Sequence, residues 1–192
     1  MLFTVISVAI LAAFYGCYFA KMIAQKRQGI TTDQMGKGKT GLVKGIEITM
    51  KVASYAVPVA EIVSIALGTT AFPAAVRALG ALIGTVGVGF FVASVLTMRD
   101  NWRAGVSETD RTELVTEGVY QLSRNPAFLG FDLVYLGILL MFFNPALMVI
   151  SLFAMLMFHL QIVNVEEDFL LVTFGEDYLA YRKRVRRYLG RK

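Results

Sequence analysis

Two short runs carry the side chains best suited to chemistry in this chain: 124-RNP-126 and 166-EED-168. A carboxylate can face a cation or take a proton from a hydroxyl. An arginine beside a helix start can hold an anion, because the first N–H groups of a helix lack intrahelical partners. Glu167, Glu166 and Arg124 are therefore the candidate catalytic residues. Each run also has a plainer explanation. Asn125 is a good N-cap and Pro126 a good first helical residue, and acids in a first turn favour the positive end of a helix. That explanation leaves out Arg124, Tyr120 four residues before it, and Gly130 four residues after Pro126, which would let another group approach the first turn closely.

Other polar runs are weaker candidates. The run 36-GKGKTG-41 resembles a phosphate loop, but Asp33 stands where that pattern needs a glycine, and no strand precedes it. It reads as a flexible cationic loop. His159 is the single histidine and sits in an apolar run with Gln161 and Asn164 nearby, so it is either a hydrogen-bonded core residue or part of a cavity wall. One histidine and one cysteine, Cys17, make a multi-histidine or multi-cysteine metal site improbable and leave no intramolecular disulfide. No metal is expected.

The elements that must position these residues are apolar helices. The chain is 56% hydrophobic and 17% charged over 192 residues, more apolar than a soluble domain, and the apolar residues fall in long runs. A bilayer span needs roughly 20 such residues. Spans are expected at about Leu2–Met22, Ile46–Leu67 and Pro73–Met98, followed by a helical hairpin of about Pro126–Phe142 and Pro145–Val163 turning at 142-FFNP-145. The N-terminal run has no basic stretch before it and reads as a retained span rather than a signal peptide. Span two carries Glu47, Lys51 and Glu61. The first two suit a local i,i+4 pair, and Pro58 is a kink candidate. Gly84, Gly87 and Gly89 in span three would let another helix come close.

Net charge is +5. The basic residues lie in the loop after span one and in the tail from Arg182 to Lys192, which fits membrane topology rather than nucleic acid. This distribution puts the N-terminus outside and the loops 25–41 and 99–125, with the tail, in the cytoplasm. In the tail, Leu170, Phe174, Tyr178, Tyr181, Val185 and Tyr188 recur at helical spacing, as in an amphipathic helix that begins near Asn164 and lies on anionic lipid. The expected fold is all-α: a polytopic membrane helical bundle of about five transmembrane helices plus a C-terminal amphipathic helix. It forms one domain over 1–192, with three spans in 1–98.

Three separated blocks occur in order: 112-TELVTEGVYQLSRNPAFLG-130, the hairpin turn, and 166-EEDFLLVTFGEDYLAYRKRV-185. In this order they resemble the isoprenylcysteine carboxyl methyltransferase family and the related phospholipid methyltransferases. The resemblance implies an integral membrane enzyme that uses S-adenosyl-L-methionine and takes a lipophilic small-molecule or lipid substrate from the bilayer. It implies cofactor contacts from Thr112, Glu113, Leu114, Val115, Tyr120, Asn125, Pro126, Ala127 and Phe128, with Gly130 and Asn164 beside them. Asn125 replaces the family's histidine, Phe128 its tyrosine, and Leu160 an arginine that precedes the cofactor-binding glutamate, whose place Asn164 takes. By the same resemblance, residues 99–192 supply the cofactor-binding part. Two other readings stay open on the residues alone: a non-catalytic membrane scaffold or transport protein, and a sterol-reductase-like enzyme using NADPH.

Overall fold

The structure is a computed structural model, and it describes residues 1–105 and 113–191. All regular structure among these residues is helical. The helices are α1 (Leu2–Arg27), α2 (Gly41–Leu67), α3 (Ala74–Met98), α4 (Pro126–Met141), α5 (Pro145–Gln161) and α6 (Glu167–Arg184). Short 3-10 turns occupy Arg99–Asn101 and Gly118–Gln121, and a π turn, Ile162–Glu166, joins α5 to α6. The chain is a polytopic membrane helical bundle. Helices α1, α2, α3 and the α5–α6 unit are long and apolar enough to cross a bilayer. Helix α4 is about 24 Å long at 1.5 Å per residue, yet Val134, Tyr135, Ile138 and Met141 on it are fully buried. Its neighbours, not lipid, surround it.

Glycine decides the closest packing in the bundle. A Cβ on Gly137 of α4 would come within 2.6 Å of the Gly84 Cα, and one on Gly80 within 2.7 Å of the Gly137 carbonyl oxygen. Gly87 and Gly130 meet in the same way. The glycine face of α3 is therefore Gly80, Gly84 and Gly87. Gly89 points into open space, which corrects one of the three expected positions.

The hairpin turn forms where expected. Asn144 caps α5 by accepting from the Leu147 N–H at 2.9 Å, and its amide donates to Ser64 Oγ at 2.7 Å. The two arms nevertheless lean on different partners, α4 on α3 and α5 on α2. Contacts of Ser64 with Asn144 and of Glu47 with Gln161 lie at opposite ends of the α2–α5 pair, which is therefore antiparallel. Helix α1 packs on α3. Consecutive helices α1 and α2 thus have different supports and leave a space between them.

Three local expectations change. Lys51 pairs with Asp33 instead of Glu47, because the loop 28–40 folds back over the start of α2. Helix α2 runs through Pro58 without interruption. The loop itself is strapped down: Ala104 N–H donates to Thr32 O at 2.9 Å, and Gln34 N–H to Ala104 O at 2.8 Å. Finally, no helix starts at Asn164. The chain passes from α5 through the π turn into α6, so Glu166, Glu167 and Asp168 stand mid-helix and have no helix start to complement.

The tail differs from an interfacial helix too. Gly175, at φ 48°, breaks the helical path inside α6. Tyr178, Tyr181 and Val185 are buried against Tyr120, with Leu114, Val115 and Val119 packed around them. The apolar stripe of the tail is covered by protein.

Candidate functional site

The C-terminal segment is tied to the chain before α4. Arg124 N–H donates to Arg186 O at 3.1 Å, Gly190 N–H to Leu122 O at 2.8 Å, and Tyr181 Oη to Tyr120 O at 2.7 Å. Asn125 uses its side chain in this seam. Its amide donates to Arg187 O at 3.1 Å, and it makes no side-chain cap on α4. The capping explanation for Asn125 therefore gives way to a long-range tie, while Pro126 does open the helix.

Glu167 is the hub of this seam and is only 6% exposed. It accepts from Arg187 Nε at 2.8 Å and Nη2 at 3.0 Å, and pairs with Arg124 Nη2 at 2.9 Å. Arg124 Nη1 donates to Tyr178 Oη at 2.6 Å. The bidentate bond to Glu167 pushes the Arg187 guanidinium pKa up. Burial likewise pushes the Tyr120 hydroxyl up, while Ser94 Oγ sits 2.7 Å from it. His159 is a hydrogen-bonded residue: its Nδ1 lies 2.6 Å from Tyr188 Oη, which further secures the tail.

Beneath the seam lies a cavity of about 140 Å³. Its lining includes Glu113, Leu114, Val115, Tyr120, Arg124, Asn125, Pro126, Ala127, Phe128 and Glu166. Ten of the candidate residues thus share one wall. Glu167, Gly130 and Asn164 are outside the lining. Glu167 is turned into the ion-pair hub, Gly130 is pressed against Gly87 and Phe91, and Asn164 donates to Leu160 O at 2.8 Å. The approach that Gly130 permits is that of α3, not of a ligand. Thr112 lies outside the described residues. The cavity also uses Trp102, Arg103, Phe169, Phe174 and Tyr181.

A second, larger cavity of about 330 Å³ adjoins the first. It lies between α1 and α2, lined by Tyr15, Tyr18, Phe19, Tyr55, Phe131 and Phe158 among others. Among the described residues, Lys51 and Arg103 are its charged lining residues, and no acid lines it. Trp102, Arg103, Gly105, Ala127 and Phe128 belong to both cavities. Sequence reasoning missed this second cavity, and no spacing signal could have shown it, because its walls come from four helices and two loops.

The two cavities are tied to the loop 28–40 by a polar chain. Gln161 Nε2 donates to Glu166 Oε1 at 3.3 Å and to Glu47 Oε1 at 3.4 Å, and Glu47 Oε2 accepts from Gly36 N–H at 2.6 Å. Gln25 Nε2 holds Trp102 O at 2.9 Å. The shared wall is thus held from both the N-terminal and C-terminal halves.

Comparison with known proteins agrees with this layout. The phospholipid methyltransferase family model matches residues 75–177, which include α3, α4, α5 and the start of α6. The chain belongs to this family. It is also similar to proteins named protein-S-isoprenylcysteine O-methyltransferase. The yeast Saccharomyces cerevisiae protein is 38% identical over 72 residues, 38% of this chain and 30% of that relative. The Mus musculus protein is 33% identical over 110 residues, 56% of this chain and 39% of the relative. The Arabidopsis thaliana B form is 32% identical over 80 residues, 42% of this chain and 41% of the relative. The chain spans about two fifths or less of each of these relatives.

Proposed function

We propose that this chain transfers a methyl group from S-adenosyl-L-methionine to a lipophilic carboxylate held in the larger cavity. The wall common to both cavities carries the reading. A group passing from one cavity to the other must cross at Arg103, Ala127 and Phe128. When bound, the cofactor supplies an electrophilic methyl on a sulfonium. The residues of the smaller cavity suit such a molecule. Glu113 and Glu166 favour its cationic groups, the rings of Tyr120, Phe128, Phe169 and Phe174 can flank a flat base, and the buried Arg124 Nε has no partner and is a ready donor to a carboxylate. The cavity of about 140 Å³ is below the roughly 300–1,000 Å³ of a drug-sized ligand site.

The acceptor's class follows from charge. Arg103 at the shared wall favours an anion, Lys51 beyond it already pairs with Asp33, and an ammonium group would meet no acid among the described lining residues. Arg103 Nη1 also donates to Asp100 O and Trp102 O, at 2.5 and 2.9 Å, which orients the guanidinium. Arg103 thereby supplies the cation that Leu160 does not. A carboxylate is already ionised, so no residue needs to remove a proton. The protein's task is alignment and exclusion of water, which can contribute roughly 7–11 kcal/mol. Glu166 is the acid facing the cofactor, and Glu167 is a positioning residue that holds Arg124. The gap between α1 and α2 admits the acceptor from the bilayer, and the basic loops put this end of the bundle in the cytoplasm.

Calorimetry with S-adenosylmethionine and S-adenosylhomocysteine, with NADPH as control, tests the reading. One-site binding of the adenosyl ligands that is lost in Asn125→Trp is expected. Absence of binding to folded protein, or binding of NADPH instead, overturns it. With farnesylated cysteine as acceptor, Glu166→Gln should lower turnover about tenfold or more, a loss of about 1.4 kcal/mol of transition-state stabilisation. Arg103→Gln should raise KM more than it lowers kcat.

A further inference from the structure

Glu61 of α2 is fully buried, and neither of its carboxylate oxygens has a hydrogen-bond partner. The hydroxyls of Tyr15 on α1 and Tyr135 on α4 are also buried, and they neighbour each other within reach of a weak hydrogen bond. Tyr15, Tyr135 and Glu61 lie within electrostatic reach of one another. Three helices therefore direct one carboxyl group without a partner and a pair of tyrosine hydroxyls to one place in the bundle. This arrangement is unfavourable for the protein alone, because each buried polar group without a partner forfeits the hydrogen bonds it had in water. Unpaired ionisable groups at membrane depth are rare and mark function.

The cluster adjoins the larger cavity. Tyr15 lines that cavity, as do Pro58 and Ile62, which flank Glu61 on α2. Along α4, Tyr135 is seven residues beyond Phe128 at the shared wall, or about 10 Å at 1.5 Å per residue. We propose that Glu61, Tyr15 and Tyr135 form a second recognition site at the inner end of the cavity. It hydrogen-bonds a polar group, a hydroxyl or carbonyl, carried on the acceptor about 10 Å from the carboxylate that is methylated. The acceptor is then an apolar molecule polar at two points rather than a plain hydrocarbon chain. Carboxyl and phenol groups both donate and accept, so they can satisfy such a group, and an analogue lacking it leaves them unpaired.

The inference rests on the proposed acceptor cavity, and its test does not require methyl transfer. Trp102 is the one tryptophan of the chain and lines both cavities, so its fluorescence reports binding. Purified protein in detergent is titrated with decanoic acid and 10-hydroxydecanoic acid, and separately with 1-decanol and 1,10-decanediol. The doubly polar member of each pair should bind about tenfold more tightly, a difference that corresponds to one good hydrogen bond. That advantage should vanish in Glu61→Leu and in Tyr135→Phe, both of which should melt no lower than the parent. Equal binding within both pairs, or an advantage that survives Glu61→Leu, overturns the second site. Loss of the advantage in the acid pair alone would count against the carboxylate end at Arg103 while upholding the second site. Failure to bind S-adenosylmethionine counts only against the methyl-transfer reading, since the alcohol pair is read without it.

Discussion

Glu167 and Glu61 are both buried carboxyl groups, in opposite situations. Glu167 accepts three bonds from Arg124 and Arg187 and closes the seam between the tail and the 120–125 segment. Glu61 has none. One carboxylate is satisfied by the fold, and the other is left open by it. The difference teaches where to look for function. A buried ion that is fully paired holds structure together, and removing one partner strands the other. A buried polar group that the fold leaves unsatisfied lowers stability, so its retention points to a ligand.

Substitutions can break this contrast, beginning with the largest effect. Arg124→Ala leaves Glu167 with half its cationic surroundings in a buried site and should destabilise the protein by about 3–5 kcal/mol. Thermal melting in detergent reads the loss, and the double variant with Glu167→Gln should recover part of it, since the two residues act as one unit. Full additivity would show that the pair is uncoupled. Next, Gly137→Ala forces a methyl group to within 2.6 Å of the Gly84 backbone. Because backbone cannot yield as a side chain can, α3 and α4 must separate, at a cost of about 1–3 kcal/mol. Gly89→Ala meets open space and should raise helix stability by about 0.5–1 kcal/mol. Equal melting temperatures for these two variants would refute the glycine register.

Glu61→Leu should move stability the other way, raising it by about 1–3 kcal/mol as an unpaired polar group leaves the interior. A lower melting temperature would mean that Glu61 has a partner within the fold, and the contrast with Glu167 would disappear. The smallest effect is expected for His159→Phe, which keeps the ring beside Tyr188 but removes one hydrogen bond worth about 1 kcal/mol. Hydrogen exchange should localise that loss to residues 185–191, with the α3–α4 pair unchanged.

Much of this was legible in the sequence. The five apolar runs, the turn at 142-FFNP-145 and the proline start of α4 follow from hydropathy and local chain chemistry, which need only neighbours within a few residues. The grouping of Glu113, Leu114, Val115, Tyr120 and the 124–128 run was legible too, from the ordered blocks. Other features were hidden because long-range contacts override local preference. Asn125 has the chemistry of a cap and is instead tied to Arg187, 62 residues away. Lys51 has Glu47 one turn before it and pairs with Asp33 across a loop. The acids 166–168 look like a helix start and stand within a continuous helix.

The sequence by itself determined the kind of object this is. Runs of apolar residues of bilayer length can be satisfied only by helices, since a helix pairs its own backbone groups without help from water. It also determined which segments approach the candidate cofactor wall. The tertiary structure decided which acid faces the cavity, Glu166 rather than Glu167, because a residue's direction on a helix depends on the π turn and on the partners it meets. It decided that α1 and α2 stand apart, because each packs on a different later helix. The apolar cavity and the unpaired group at Glu61 exist only in that arrangement. They are made by side chains that are distant in sequence, and their closeness is a property of packing.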